Sequence, residues 1–143
     1  MARLLIVENE MALREFIARG LRLRGHEVTV ADDGASGLEL LKSQAFDLLL
    51  TDIDMPIMDG IALVQAGGPL CPDMKIIVMS GHEHQLERAR EMTSLVTRVV
   101  PKPFSIAEIG TIVDAVLAPP GLRKRRAPAR RPSAAKAKTK PKG

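Results

Sequence analysis

Residues 46–60 read FDLLLTDIDMPIMDG, and the fold turns on them. The stretch from Phe46 to Thr51 is the most continuously apolar in the chain and is too short for a helix. A strand that is apolar on both faces must be covered on both faces, which is the situation of a central strand in a parallel sheet. Asp52 and Asp54 follow at once, and MPIMDG then carries turn chemistry. The stretch is therefore expected to end with two aspartates at the carboxyl edge of a central strand.

Toward the N-terminus the same kind of punctuation repeats. Leu4 to Val7 reads as a first buried strand. Met11 to Arg24 reads as a helix with Leu13, Phe16, Ile17, Gly20, Leu21 and Leu23 at mostly helical spacings, stopped by Gly25. Val28 to Ala31 is a second strand, and Gly34 to Lys42 a second helix with Leu38 and Leu41 inward. Toward the C-terminus, Met58 to Ala66 reads as a helix ended by GGPLCPD, Lys75 to Met79 as a fourth strand, and His82 to Met92 as a charged helix. Thr97 to Val100 is a fifth strand with Val99 and Val100 as core candidates. Ser105 and Glu108 have capping-box spacing before a last helix whose apolar face is Ile109, Ile112, Val113, Val116 and Leu117, with Pro119 and Pro120 after it. Strands alternating with helices imply right-handed crossovers and one α/β, doubly wound, five-stranded parallel sheet.

At 143 residues the chain has room for one well-buried core. Its aromatic share is 2%, all from Phe16, Phe46 and Phe104, so the core must come from Leu, Ile, Val, Met and Ala, and there is no platform for stacking bases. Charge divides the chain. Residues 1–121 carry 11 Lys/Arg against 17 Asp/Glu, a net −6, whereas residues 122–143 carry 10 Lys/Arg and no acid. With Pro128, Pro132 and Pro141 and no apolar residue larger than alanine after Leu122, this segment cannot offset the cost of ordering its backbone. The expected division is a folded domain over 1–118 and a disordered basic tail over 119–143. An anionic partner suits the tail: nucleic acid bound without sequence preference, or an acidic surface. Cys71 is the single cysteine, which fits a reducing compartment, and no run approaches a membrane span or a secretory leader, so the expected location is the cytoplasm.

In an open α/β sheet, side chains at the carboxyl ends of the strands converge on a crevice. Here those ends carry Glu8, Asn9 and Glu10, then Asp52 and Asp54, then Ser80 and Gly81, then Lys102 before Pro103. Phosphoryl transfer would give each a task. An aspartate such as Asp52 can be the nucleophile, and crowded oxygens call for a hard divalent cation, with oxygen-only ligands favouring magnesium. Lys102 and the Ser80 hydroxyl can meet phosphate oxygens. His82 and His84 flank Glu83 but lack the helical spacing of a zinc motif.

With LLIVENE, LLLTDIDMPIMDG, IIVMSG and VVPKPF at these separations, residues 1–118 resemble the response-regulator receiver domain family of two-component signalling. In outline the chain is similar to single-domain regulators carrying a basic C-terminal tail. The resemblance implies a flavodoxin-like sheet in the order 2-1-3-4-5. It implies phosphorylation of Asp52 by a sensor histidine kinase or a histidine phosphotransfer protein, with switched binding of a protein partner and no enzymatic turnover of its own. It also implies a magnesium ion held by Glu8, Asn9, Asp52 and the backbone carbonyl of Asp54, with Ser80 turning toward the phosphoryl group. Lys102 neutralises charge, and the bond before Pro103 is cis.

Two positions depart from the family pattern. Asn9 stands where an acid usually contributes most directly to magnesium, so metal binding is expected to weaken or shift toward Glu8. Val99 stands where an aromatic side chain usually swings, so output is expected to run through the fourth strand, the fourth helix and their loop. A second expectation follows from Asn9: a phosphorylation-impaired scaffold whose tail docks on nucleic acid or another polyanion. DIDMP also resembles the Asp-x-Asp element of haloacid-dehalogenase-like phosphatases, but it follows the third strand instead of the first.

Overall fold

The structure, a computed structural model, describes residues 1–119. Five strands, β1 (Arg3–Val7), β2 (Glu27–Ala31), β3 (Leu48–Asp52), β4 (Lys75–Ser80) and β5 (Arg98–Pro101), alternate with α1 (Met11–Leu23), α2 (Gly34–Ser43), α3 (Gly60–Gly67), α4 (Glu83–Arg90) and α5 (Ile106–Leu117). The strands form one sheet in the order β2-β1-β3-β4-β5, all pairs parallel. This is the expected doubly wound, flavodoxin-like order. The chain divides into one compact unit, residues 1–112, and a second that begins at Val113 within α5. The basic tail expected over 119–143 lies outside the described residues from position 120 on.

Side chains of a strand alternate between faces, and β3 is buried at every position. Leu5 and Val7 of β1, Leu49 of β3, and Ile76 and Val78 of β4 share one cluster with Leu41, Ile61, Leu63, Val64 and Ala89 from the helices. The alternate residues Leu4, Ile6, Leu48, Leu50, Ile77 and Met79 are equally buried on the other face. Thus the FDLLLT reading holds for its centre. Phe46 and Asp47 precede the strand, however. Asp47 instead links strands, its N–H donating to the Arg3 carbonyl and its own carbonyl accepting from the Lys75 N–H.

Several expected details differ. Phe16 is 50% and Leu23 80% exposed, because the buried stripe of α1 is Ile17, Ala18 and Leu21 with Leu13 half-buried, and at 3.6 residues per turn Phe16 and Leu23 fall outside it. Val99 is only half-buried, while Val100 is in the core. Helix α3 begins at Gly60 instead of Met58: Ile57 takes a left-handed conformation (φ 69°), and the Asp59 side chain caps the helix by accepting the Ala62 N–H at 2.8 Å. The Ser105–Glu108 capping box forms in both directions, at 2.7 and 3.0 Å. Gly25, at φ 96°, closes α1 as expected.

Gly60 explains why this loop is specific. A β-carbon there would lie 2.2 Å from the Asp52 carbonyl oxygen and 2.8 Å from the Ile53 α-carbon. The first turn of α3 therefore rests directly on the end of β3.

Two stability outcomes follow. Gly60→Ala should destabilise the domain by about 2 kcal/mol or more, read by urea denaturation, since backbone must shift to admit the methyl group. Ile57→Asn should stabilise it by about 1 kcal/mol in the same assay, because a β-branched side chain in the left-handed region is strained and Ile57 is fully exposed with nothing to lose from burial.

Candidate functional site

The carboxyl ends of β1, β3, β4 and β5 bring together the residues their sequence positions suggested. Glu8, directly after β1, is 1% exposed, and Asp52, the last residue of β3, is 2% exposed. Glu8 is held from several sides. Its N–H donates to the Ala31 carbonyl, its carbonyl accepts from Arg14 Nη1 at 2.9 Å, and Oε2 accepts the Glu10 N–H at 3.0 Å. Lys102 reaches in from beyond β5. Its N–H donates to the Ser80 carbonyl, which continues the β4–β5 ladder past Pro101, and the bond between Lys102 and Pro103 is cis. Its Nζ lies 3.1 Å from Glu8 Oε1 and 3.3 Å from Asp52 Oδ1.

Two buried carboxylates thus share one ammonium group. Burial, reinforced by the negative charge of Glu8, pushes the Asp52 carboxyl up to about 6, against the opposing pull of Lys102 and the Asp54 backbone N–H. Burial on its own would lower Lys102, yet the charges and hydrogen bonds of Asp52 and Glu8 outweigh it and hold the ammonium above its usual range. Such a site holds a nucleophilic oxygen beside a fixed cation in a space largely closed to water, and excess negative charge remains to be balanced.

A second cluster adjoins the first. Ser80, fully buried at the end of β4, donates its hydroxyl to Asp54 Oδ2 at 2.6 Å and accepts the His82 N–H at 3.0 Å. The His82 ring places Nδ1 3.2 Å from Asp54 Oδ1. Burial raises Asp54, but the hydrogen bonds from Ser80 and His82 prevail and keep it below the usual carboxylate range.

Of the residues expected here, Glu8, Asp52 and Lys102 converge in direct contact, and Ser80 and Asp54 pair beside them. Asn9 is exposed and stands outside the buried set. His82 has a role that the sequence did not suggest: it faces Asp54. Among the described residues no three His, Cys, Asp or Glu side chains are grouped to hold a metal by themselves. The signal that could have found His82 was its place two residues after Ser80, as Asp54 is two after Asp52.

The raised Asp52 carboxyl sets a sign for stability. The folded state binds a proton near pH 6, and the unfolded carboxyl only near its ordinary value of 3.8, so ionised Asp52 costs stability above pH 6, and the cost fades as pH falls to 4. In chelator, Asp52→Asn should be more stable than the parent by about 3 kcal/mol at pH 7, from a shift worth about 1.4 kcal/mol per unit, with little advantage at pH 4. Denaturant titrations at the two pH values check this.

A model of the response regulator receiver domain matches residues 4–114. The chain is 34% identical over 117 residues to the response regulator receiver protein CpdR of Brucella abortus (strain 2308), a match covering 82% of this chain and 98% of CpdR. It is 39% identical over 117 residues to the transcriptional activator protein PfeR of Pseudomonas aeruginosa, covering 80% of this chain and 37% of PfeR. It thus spans well under half of that regulator. Among solved structures, a CheY-like response regulator receiver domain protein from Methanospirillum hungatei JF-1 superposes with a TM-score of 0.77 at 26% identity, covering 82% of this chain and 94% of that one. The receiver domain of the hybrid histidine kinase CckA gives 0.69 at 32% identity, covering 81% and 99%. With the receiver model matched over residues 4–114 and the strands in the order β2-β1-β3-β4-β5, the chain belongs to the response regulator receiver domain family.

Proposed function

We propose that Asp52 accepts a phosphoryl group from a phosphohistidine on a sensor histidine kinase or a histidine phosphotransfer protein, and that the resulting change alters binding of a partner protein. The observation that carries this reading is the convergence of Glu8, Asp52 and Lys102 within 3.3 Å contacts at the end of the central strands. An Asp52 oxygen forms a bond to phosphorus as the phosphorus–nitrogen bond of the donor breaks, its electron pair returning to the imidazole. Lys102, already against Asp52 Oδ1, meets the incoming charge. Hydrolysis of the acyl phosphate resets the domain.

The donor set suits magnesium. Two buried carboxylates share one ammonium, and burial together with the charge of Glu8 holds Asp52 near 6. Glu8, Asn9 and Asp52, with the backbone carbonyl of Asp54, would hold the ion, and an oxygen-only set with few carboxylates agrees with magnesium's habit of keeping several waters. Magnesium, when bound, supplies positive charge to the carboxylate and phosphoryl oxygens. The exposed Asn9 leaves Glu8 as the principal acid on the β1 side.

For output, Ser80 and the segment into α4 are the parts able to respond, because valine at position 99 has no ring to swing. A surface between β5 and α5, lined by Val100, Pro103, Phe104, Ala107 and Ile112, lies beside Lys102 in the chain and is available to a partner. Among the described residues no helix is long and apolar enough to cross a membrane; the location that goes with the proposed phosphotransfer is the cytoplasm.

Incubation with a small acyl-phosphate donor and magnesium, read by intact mass, should give one phosphoryl adduct on the parent and none on Asp52→Asn. An adduct on Asp52→Asn rejects the assigned acceptor. Asn9→Asp should lower the magnesium concentration for half-maximal labelling about tenfold, the effect of roughly 1.4 kcal/mol of added attraction.

A further inference from the structure

Ser80 has one hydroxyl proton, and the fold has already committed it. Its Oγ donates to Asp54 Oδ2 at 2.6 Å, while the same oxygen accepts the His82 N–H at 3.0 Å. The other oxygen of Asp54, Oδ1, is 3.2 Å from His82 Nδ1. The three residues close a ring in which each holds the next. Ser80 is fully buried.

We propose that the Asp54 side chain is a positioning residue that clamps Ser80 at rest and competes with a phosphoryl group on Asp52 for the Ser80 proton. This rests on the reading of Asp52 as phosphoacceptor. A hydroxyl donates once, so Ser80 can serve a phosphoryl oxygen only by leaving Asp54. The bond to be broken is of the strong kind, a short O–H···O⁻ contact to an ionised acceptor. Opening it strands nothing: the Asp54 side chain is 26% exposed and keeps its contact with His82. The clamp is therefore reversible, and it biases the domain toward its unphosphorylated arrangement without touching the nucleophile. Because the population of the activated state depends on the difference between the two sets of contacts, the clamp sets how much of the phosphorylated domain is switched.

Fluoroberyllate with magnesium, as a phosphoryl mimic on the full chain, tests the competition, with affinity read by fluorine NMR. Asp54→Ala should bind it about tenfold more tightly than the parent, the scale of one hydrogen bond to a charged group. Asp54→Asn, which keeps an acceptor without the charge, should fall between. With Ser80→Ala already present, the gain from Asp54→Ala should shrink below about twofold, as coupling through Ser80 requires. An equal gain in both backgrounds would mean simple repulsion between Asp54 and the anion, and the clamp would be rejected. A second measurement needs no phosphoryl group: three-bond couplings of the Ser80 β-protons should report a single rotamer in the parent and averaging in Asp54→Ala. Averaging already in the parent overturns the clamp whatever Asp52 binds. Absence of Asp52-dependent fluoroberyllate binding in every variant sinks the acceptor reading and the competition with it, while the rotamer result still decides whether Ser80 is held at rest.

Discussion

Everything at this site depends on one ammonium group placed between two buried carboxylates. Removing Glu8 and Asp52 from water is costly, and Lys102 offsets the cost for one charge, not two. The imbalance is visible in the Asp52 carboxyl, held near 6 by burial and by Glu8. A fold optimised only for stability would have no reason to keep this arrangement. The strands around it, buried through β3 and much of β1 and β4, provide the rigidity that keeps like charges close.

The architecture was legible in the sequence because parallel sheets write themselves plainly: short apolar runs, helical periods between them, and Gly, Pro and Asp at the joints. FDLLLTD placed Asp52 at the end of a central strand, and PKP placed Lys102 beyond the edge strand. What was less legible depended on side-chain direction. Phe16 and Leu23 looked inward by spacing, yet an offset of roughly 100° or more around the helix from the buried stripe leaves them exposed. Asn9 and Glu8 are adjacent in sequence just beyond β1, and only the folded chain shows that Glu8 is buried while Asn9 is exposed. For the Ser80–Asp54–His82 ring the matching offsets of Asp54 and His82 were the one hint, since the bonds themselves depend on a rotamer of serine and on a loop conformation that no periodicity encodes.

The two clusters differ in what holds them. Glu8, Asp52 and Lys102 are joined by charge, and their contacts span 94 residues of sequence between Glu8 and Lys102, so the cluster exists only when the sheet is complete. Ser80, Asp54 and His82 are joined by hydrogen bonds across the β3 and β4 ends. In the proposed function the first cluster would take part in phosphoryl transfer and the second would respond to it.

The close approach of Gly60 to the Asp52 carbonyl has a mechanical consequence. On that side of the crevice, helix and strand meet with no side chain between them, and Thr51 donates its hydroxyl to the same carbonyl at 2.9 Å, so that wall is braced. Where β4 runs into α4, the tie is made instead by side-chain hydrogen bonds through Ser80. The surroundings of Asp52 are therefore uneven in kind: backbone packed on backbone at Gly60, and exchangeable polar contacts at Ser80.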